Sequence, residues 1–414
     1  MNIGGHTAVY HDPTTNKPIN IGVQAWMEYL NTTSFPHRMG VSTDGSMQFE
    51  SASPNYVDFS SGLPVANYTP PSSAAYTAAL KKYLDLCEKY ADLLLPGFFN
   101  FPNATAIPED LVMNFGDFVK KYGLQNTVPR LWDSTVMGVG DFLNTPTMYI
   151  MQASGLVMAR AMLGQSRAIV PPSGNLHELY ERVAEFLGED VLYNNIVVGA
   201  TRNESGVSIF VKNVNGAETE IVAKRLLFAA EPTGVSVAVL DLDDEESDVL
   251  GKLRYTSVFA GLVKHPSLKG LTSYSNTLPA APSSNYSLYP LPAQVGKINH
   301  QPGSQDLFAF TAVGTEEDTT ESMQTLIAQS VENMIQKGTL KASNASVEFL
   351  AFVNHGLMHS RVSGEELRKG FVERQMGLQG RRATWWTGAA FSAGFSTVLW
   401  AYNEVLLPKV IEGI

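Results

Sequence analysis

The chain contains one cysteine, Cys87, among 414 residues. A single thiol cannot form a disulfide within the chain, and it cannot build the cysteine clusters that bind structural zinc. Cys87 recurs at helical spacing with Tyr83 and Leu84, so we expect a packed core thiol rather than a reactive one. Cysteine usage therefore excludes a disulfide scaffold and gives no sign of an oxidising compartment.

Long apolar runs are also missing. No window approaches the ~20 apolar residues that a membrane span requires, and Met1 leads into a glycine pair without an apolar leader segment. Asn-x-Ser/Thr sequons occur, but a chain rich in these residues contains several by chance. We expect no membrane span and a cytoplasmic location for the chain as it stands. Secretion stays open if a leader was lost together with an N-terminal segment.

Positive charge is scarce. Lys and Arg number 29 against 40 Asp and Glu, which gives a formal net charge of -11. A polyanionic partner is disfavoured by this balance, so we do not expect binding to nucleic acid. Hydrophobic residues make up 44% and charged residues 17% of the chain, which indicates an ordered globular protein with room for two domains. Nothing in the composition indicates an oligomeric state.

Several catalytic signatures are absent as well. The chain has no G-x-S-x-G nucleophile elbow, no H-E-x-x-H and no Walker A sequence. His355 and His359 have the i, i+4 spacing of two metal ligands on a helix, but Gly356 and the strand-like residues around it argue against a helix there. We therefore predict no metal site.

Hydrophobic periodicity divides most of the chain into helices and strands. Helices are predicted over residues 73–95, 108–122, 147–163, 174–187 and 321–336. Strands are predicted over residues 191–198, 206–214, 218–222, 225–230, 255–263, 287–290, 307–313 and 347–352. The strand at 225–230 is expected to be buried because all of its central residues are apolar.

The C-terminal part carries the most informative pattern. An aromatic and β-branched run at 384–387 predicts a strand, and apolar residues at helical spacing farther on predict a helix. Between them stand Gly388, Ala389 and Ala390, which allow a ligand to approach bare backbone. The unpaired N–H groups and positive dipole end of a helix start favour a diphosphate or an electron-rich ring. The pattern alone leaves a tightly packed corner without a ligand as the alternative.

The N-terminal part predicts a glycine pair followed by a β-hairpin. Gly4 and Gly5 precede a polar strand-like run, Asp12-Pro13 forms a turn, and a second run ends at Gly22. A glycine pair alone is a weak signal of a binding site.

Together the two ends resemble the flavin amine oxidase superfamily, in the version found in fungal FAD-dependent oxidoreductases similar to β-cyclopiazonate dehydrogenase. The resemblance extends from Gly4 to about Pro408. It implies an α/β fold in which an FAD-binding domain of the glutathione-reductase and amine-oxidase type accompanies a mixed-sheet α+β substrate domain. It also implies FAD as the cofactor and oxidation of a small organic molecule, in fungal secondary metabolism, by hydride transfer to the flavin.

The resemblance assigns residues to the cofactor. The glycine pair and its neighbour face the diphosphate, the later glycine lies beside the flavin, a residue of strand 191–198 caps the adenine, and the C-terminal turn packs beside the isoalloxazine. The residues at these positions are Gly4, Gly5, His6, Gly22, Val197, Val198, Trp386, Thr387, Gly388, Ala389 and Ala390. His355 is the expected catalytic residue, since a neutral imidazole can take a proton from a substrate O–H or N–H. A structural histidine is the alternative.

The implied FAD-binding domain comprises residues 1–40, 165–250 and 355–414, and the substrate domain comprises residues 41–164 and 251–354. The family's N-terminal βαβ unit with G-x-G-x-x-G is absent from these residues. The nearest glycine-rich stretch, Gly138-Val139-Gly140, lacks the third glycine. Two interpretations fit. The chain is an N-terminally shortened FAD-dependent oxidoreductase whose affinity for FAD is in doubt, or it is a cofactor-less relative acting as a non-redox binding protein or a cyclase.

Overall fold

A computed structural model describes residues 3–47, 52–304 and 306–414. Its strands are β1 (Thr7–His11), β2 (Pro18–Gly22), β3 (Trp26–Met27), β4 (Gly45–Ser46), β5 (Ser53–Asp58), β6 (Leu63–Pro64), β7 (Ala168–Val170), β8 (Asn195–Asn203), β9 (Gly206–Asn213), β10 (Glu218–Ala223), β11 (Leu226–Phe228), β12 (Arg254–Lys264), β13 (Thr272–Asn276), β14 (Gln294–His300), β15 (Phe308–Gly314), β16 (Glu348–Arg361) and β17 (Thr384–Trp386). Its helices are α1 (Ser34–Arg38), α2 (Ser73–Leu94), α3 (Glu109–Val112), α4 (Phe115–Tyr122), α5 (Val128–Ser134), α6 (Thr147–Ser154), α7 (Leu156–Met162), α8 (Glu178–Leu187), α9 (Gly234–Val237), α10 (Asp244–Gly251), α11 (Thr320–Gln336), α12 (Gly364–Arg368), α13 (Phe371–Met376) and α14 (Ser396–Ile411). None of these helices is long and apolar enough to cross a membrane.

The largest sheet has seven strands in the order β16-β12-β15-β14-β13-β5-β6. Its neighbours run antiparallel except for β13 and β5, which are parallel. Phe259, Phe308 and Phe310 project from this sheet against Met323 and Ile327 of α11. The alternating apolar residues of the strands thus meet the apolar face of one long helix, and the two build a mixed-sheet core.

The helices between α2 and α7 form the second large core. Cys87 lies on the buried face of α2, where burial raises the pKa of its thiol to about 12. The thiol is therefore protonated at neutral pH and packs as a small apolar group, as its helical spacing predicted. Met148, Met151 and Met158 are buried in the same region.

The remaining strands form smaller sheets that position the chain ends. β8, β9 and β10 form an antiparallel meander, and β11 pairs in parallel with β17. Arg202 of β8 links these sheets, since its guanidinium donates hydrogen bonds to both carboxylate oxygens of Glu246, to Asp241 and to Thr384 of β17. The predicted buried strand at 225–230 is shorter than expected and half-buried, with β17 as its partner among the described residues.

Two predicted helices are interrupted. The helix predicted at 108–122 breaks into α3 and α4, because Asn114 has an extended backbone and forms a bridge with Pro146. The helix predicted at 147–163 breaks at Gly155, where a Cβ atom would lie 2.0 Å from the backbone oxygen of Met151. Both breaks are set by contacts with distant backbone or tight turns, which helical spacing does not report. The predicted helix at 174–187 begins only with α8, whereas those at 73–95 and 321–336 are confirmed as α2 and α11.

Three predicted strands are wrong in position or length. β8 begins four residues after the predicted start at 191, since Asn194 has a φ of 59° and belongs to a turn. Residues 287–290 form a loop, and the strand of this region is β14, which begins a few residues later. Gly296 interrupts the apolar alternation of β14, so the sequence pattern did not show this strand. Glycine is required there because a Cβ atom would lie 2.0 Å from the Met137 sulfur. The strand predicted at 347–352 continues through His355 as β16.

Candidate functional site

The two ends of the chain meet. The indole of Trp26 in β3 lies against that of Trp400 in α14, with ring centroids 5.6 Å apart. The Thr397 hydroxyl donates a hydrogen bond of 2.5 Å to the backbone oxygen of Met27. Residues about 370 positions apart in the sequence therefore share one packed interface.

Tyr180 of α8 bridges the glycine pair to the same helix. A Cβ atom at Gly4 would lie 2.9 Å from the Tyr180 ring, and the Tyr180 hydroxyl interacts with Ser396 and Trp400 at the start of α14. Gly4 also has a φ of 110°, which favours glycine. Gly4 and the start of the C-terminal helix therefore both contact Tyr180.

The end of β2 lies directly against His355 of β16. A Cβ atom at Gly22 would lie 2.5 Å from both Cε1 and Nε2 of the His355 ring, so only glycine permits this contact. The His6 ring packs edge-on against His355, with centroids 5.4 Å apart. Three residues predicted separately from the sequence, His6, Gly22 and His355, are thus brought together.

The C-terminal turn follows the carboxyl end of β17. Gly388 has a φ of 106°, and a short 3-10 helix at Ala389–Phe391 lies beside β16. The Thr387 hydroxyl donates to Oδ1 of Asn403 over 2.6 Å. The helix predicted farther on is confirmed as α14, which begins at Ser396, five residues after Phe391. Backbone of the turn, rather than the end of the helix dipole, is therefore what Gly388 and Ala389 present.

Polar side chains near these segments point to an internal cavity between them. His6 keeps exposed surface, and Glu231 and His359 are only partly covered, yet burial lowers the pKa of both histidines and raises that of the carboxyl group. Side chains that keep accessible surface and are nevertheless strongly desolvated line a deep pocket rather than the outer surface. A Cβ atom would meet nothing within 4 Å at Gly5 or at Gly394. Bare backbone and uncharged polar groups in a deep pocket suit a flavin dinucleotide.

His355 is uncharged at neutral pH. Burial, and next the neighbouring His6, lower the pKa of the His355 imidazole to about 4. Its Nε2 atom faces Gly22 and is buried without a hydrogen-bond partner. Nδ1 is not closed off in this way, so it is the nitrogen left for a substrate. This geometry suits a proton acceptor, and the predicted catalytic role of His355 stays a prediction.

Glu231 is a site residue that the sequence reasoning missed. It follows β11, and the backbone oxygen of Ala229, two residues earlier, is the nearest atom to a Cβ placed on Gly388, at 3.6 Å. Burial raises the pKa of the Glu231 carboxyl group to about 7, and the Ser360 hydroxyl lies beside it. One signal could have found it, since an acidic residue directly after an apolar parallel strand stands at the edge where ligands of α/β sheets bind.

For three predicted cofactor residues the role stays a prediction. Trp386 is fully buried, and the Gln379 side chain forms hydrogen bonds with both its backbone N–H and its backbone oxygen. Trp386 therefore lies in the core behind the turn. Val197 and Val198 lie in β8 where its pairing with β9 shifts by one residue, and their side chains are about 40% exposed (43% and 41%). Their contact with an adenine stays a prediction.

An aromatic cleft of about 430 Å³ lies apart from these residues, between α4 and the loop at 284–291. Phe142, Tyr286 and Tyr289 are among its lining residues. None of the residues that the sequence assigned to the cofactor lines this cleft.

Comparison with known proteins supports the flavin assignment. No family model matches the chain. FAD-dependent oxidoreductase pigF from Monascus ruber is 31% identical over 418 residues, which cover 100% of this chain and 85% of the relative. β-Cyclopiazonate dehydrogenase from Aspergillus flavus is 27% identical over 412 residues, which cover 99% of this chain and 85% of the relative.

Solved structures share the fold. A fatty acid isomerase from P. acnes has a TM-score of 0.70 at 18% identity, with 99% of this chain and 90% of that chain covered. A putrescine oxidase double mutant has a TM-score of 0.61 at 14% identity, with coverage of 99% and 91%. The predicted fold class is confirmed, and the non-redox alternative is not favoured. The predicted loss of an N-terminal βαβ unit stays a prediction. The chain belongs to the family of fungal FAD-dependent oxidoreductases that includes β-cyclopiazonate dehydrogenase, and FAD is its cofactor.

Proposed function

We propose that the chain oxidises a small organic molecule of fungal secondary metabolism in the cavity between β2, β16 and the turn at Ala389–Phe391. The observation that carries this proposal is that β2 and the C-terminal turn, distant in sequence, both contact β16, whose His355 is uncharged. Bound FAD would supply the two-electron acceptor. The names of the relatives support an oxidation or dehydrogenation.

The chain's own groups orient the substrate and receive its proton. Gly22 and His6 fix the His355 ring from two sides and leave its Nδ1 atom as the nitrogen for a substrate. With a pKa of about 4 the ring holds a free lone pair at every pH above about 5. It can therefore accept the proton of a substrate O–H or N–H while the neighbouring C–H bond is oxidised.

Replacing His355 by glutamine tests this role. Glutamine keeps a polar side chain but cannot accept a proton, so we expect reduction of the bound flavin by substrate to slow 10²–10⁴-fold. The holoprotein is mixed anaerobically with a substrate panel that includes β-cyclopiazonate, the compound in one relative's name. The rate of flavin reduction is measured from the decrease of the flavin absorbance.

The matched control is His11→Gln, which removes an exposed histidine at the end of β1. The flavin bound to this variant should be reduced by substrate at the same rate as in the unmodified chain. Equal rates for His355→Gln and His11→Gln would remove His355 from the proposal. A purified chain that stays colourless after incubation with FAD would contradict the proposal as a whole.

A further inference from the structure

We infer that Glu231 belongs to the cofactor site and donates a hydrogen bond to bound FAD from a protonated carboxyl group. The inference rests on the proposed function only in placing FAD in this cavity. It assigns to one side chain a contact with the cofactor and a coupling between cofactor binding and pH.

The position of Glu231 in the fold is the first argument. β11 and β17 are parallel, with Phe228 opposite Trp386, so both strands end at the same edge. Thr387 continues the pairing by donating its N–H to the backbone oxygen of Phe228 over 2.9 Å. Glu231 and Gly388 therefore leave the same edge of the sheet, which is where ligands of parallel α/β sheets bind.

The surroundings of the carboxyl group are the second argument. Oε1 of Glu231 is buried without a hydrogen-bond partner, and Ser360 of β16 lies beside the group. The backbone oxygen of Glu231 is already used, since it accepts hydrogen bonds from Thr233 and Ser236 at the start of α9. An unsatisfied buried carboxyl oxygen is costly, so the fold keeps it only if another group completes the site or the oxygen is protonated.

The charges around Glu231 decide its protonation. No arginine or lysine compensates it among the described residues, and burial dominates the rise of its pKa to about 7. The facing ionisable group on β12 is Tyr255, whose pKa the Glu231 charge helps to raise. On β16 the neighbours of Ser360 are His359, with a pKa of about 4, and Arg361, whose pKa is lowered by burial. Glu231 is thus the group of this set that titrates between pH 6 and 8.

FAD brings two negative phosphates into a site that has no compensating cation beside Glu231. A carboxylate there would repel the cofactor, whereas a carboxylic acid can donate a hydrogen bond to one of its oxygen atoms. Binding therefore requires the protonated form, and the proton comes from solvent when the group is ionised in the free chain. If only the protonated form binds, the dissociation constant of FAD rises about tenfold from pH 6 to pH 8.

Titration of the full chain with FAD tests the inference without any substrate. Calorimetry in buffers of different ionisation enthalpy gives the protons taken up, which should be about 0.5 per FAD at pH 7 and about 0.9 at pH 8. In Glu231→Gln, whose amide is always a donor, the uptake should vanish and the affinity should stay constant between pH 6 and 8. The control Glu348→Gln, at an exposed position at the start of β16, should behave as the unmodified chain.

The unmodified chain decides the matter even if Glu231→Gln fails to fold. An FAD affinity that is constant from pH 6 to 8, or proton uptake that persists in Glu231→Gln, overturns the inference while leaving the oxidoreductase function intact. Absence of FAD binding at every pH overturns both.

Discussion

Replacing Gly22 by alanine should lower the free energy of unfolding by about 2–4 kcal/mol. A positive φ of 95° costs an L-residue about 1–2 kcal/mol. The new Cβ atom would lie 2.5 Å from two atoms of the His355 ring and 3.2 Å from the backbone oxygen of His6. Relieving such an overlap costs about 1–3 kcal/mol, and the restricted unfolded chain offsets about 0.4–1 kcal/mol.

The matched control is Gly164→Ala. Gly164 also has a positive φ, 69°, but a Cβ atom there would meet nothing within 4 Å. The two variants share the backbone strain and differ in the contact, so Gly22→Ala should cost about 1–3 kcal/mol more in urea denaturation. Adding His355→Ala to each variant should remove that difference, because the double mutation relieves the overlap. Equal costs for the two alanine variants would refute the contact between Gly22 and His355.

Two further predictions concern stability. The pKa of His355 is lowered from 6.5 to about 4 by folding, so the unfolded chain binds its proton first and stability is lost as the pH falls from about 6.5 to 4. The loss in free energy of unfolding reaches about 3 kcal/mol near pH 4. In His355→Gln, urea denaturation should show a shallower decline of this free energy with falling pH, and the same decline as in the unmodified chain would contradict the lowered pKa. Replacing the buried Arg202 by methionine should cost up to about 3–5 kcal/mol, because the buried Glu246 loses its bidentate partner and keeps only the 3.3 Å ion pair with Arg382. Adding Glu246→Leu should restore part of the loss, and a cost of Arg202→Met below about 1 kcal/mol would argue against the pair.

Local patterns predicted the parts of the fold that form from neighbouring residues. The hairpin of β1 and β2, the long helices α2 and α11, the meander and the strand β17 all have periodicities that one stretch of sequence determines. The predictions failed where a distant contact decides the backbone. β14 contains Gly296 because the Met137 side chain occupies the space of a Cβ atom, and the helix predicted at 108–122 is interrupted between α3 and α4 by the bridge from Asn114 to Pro146. Neither contact has a trace in the nearby residues.

The sequence by itself determined which residue types are available and where bare backbone occurs. Gly4, Gly22 and Gly388 stand out in it because glycine is the residue for close approach, and the family follows from the motifs at the two ends. Only the tertiary structure decided that Gly22 faces His355, and that Glu231 is a carboxyl group with a pKa of about 7. The reason is that desolvation depends on atoms from the whole chain, brought around one group by folding, whereas periodicity depends on residues a few positions apart.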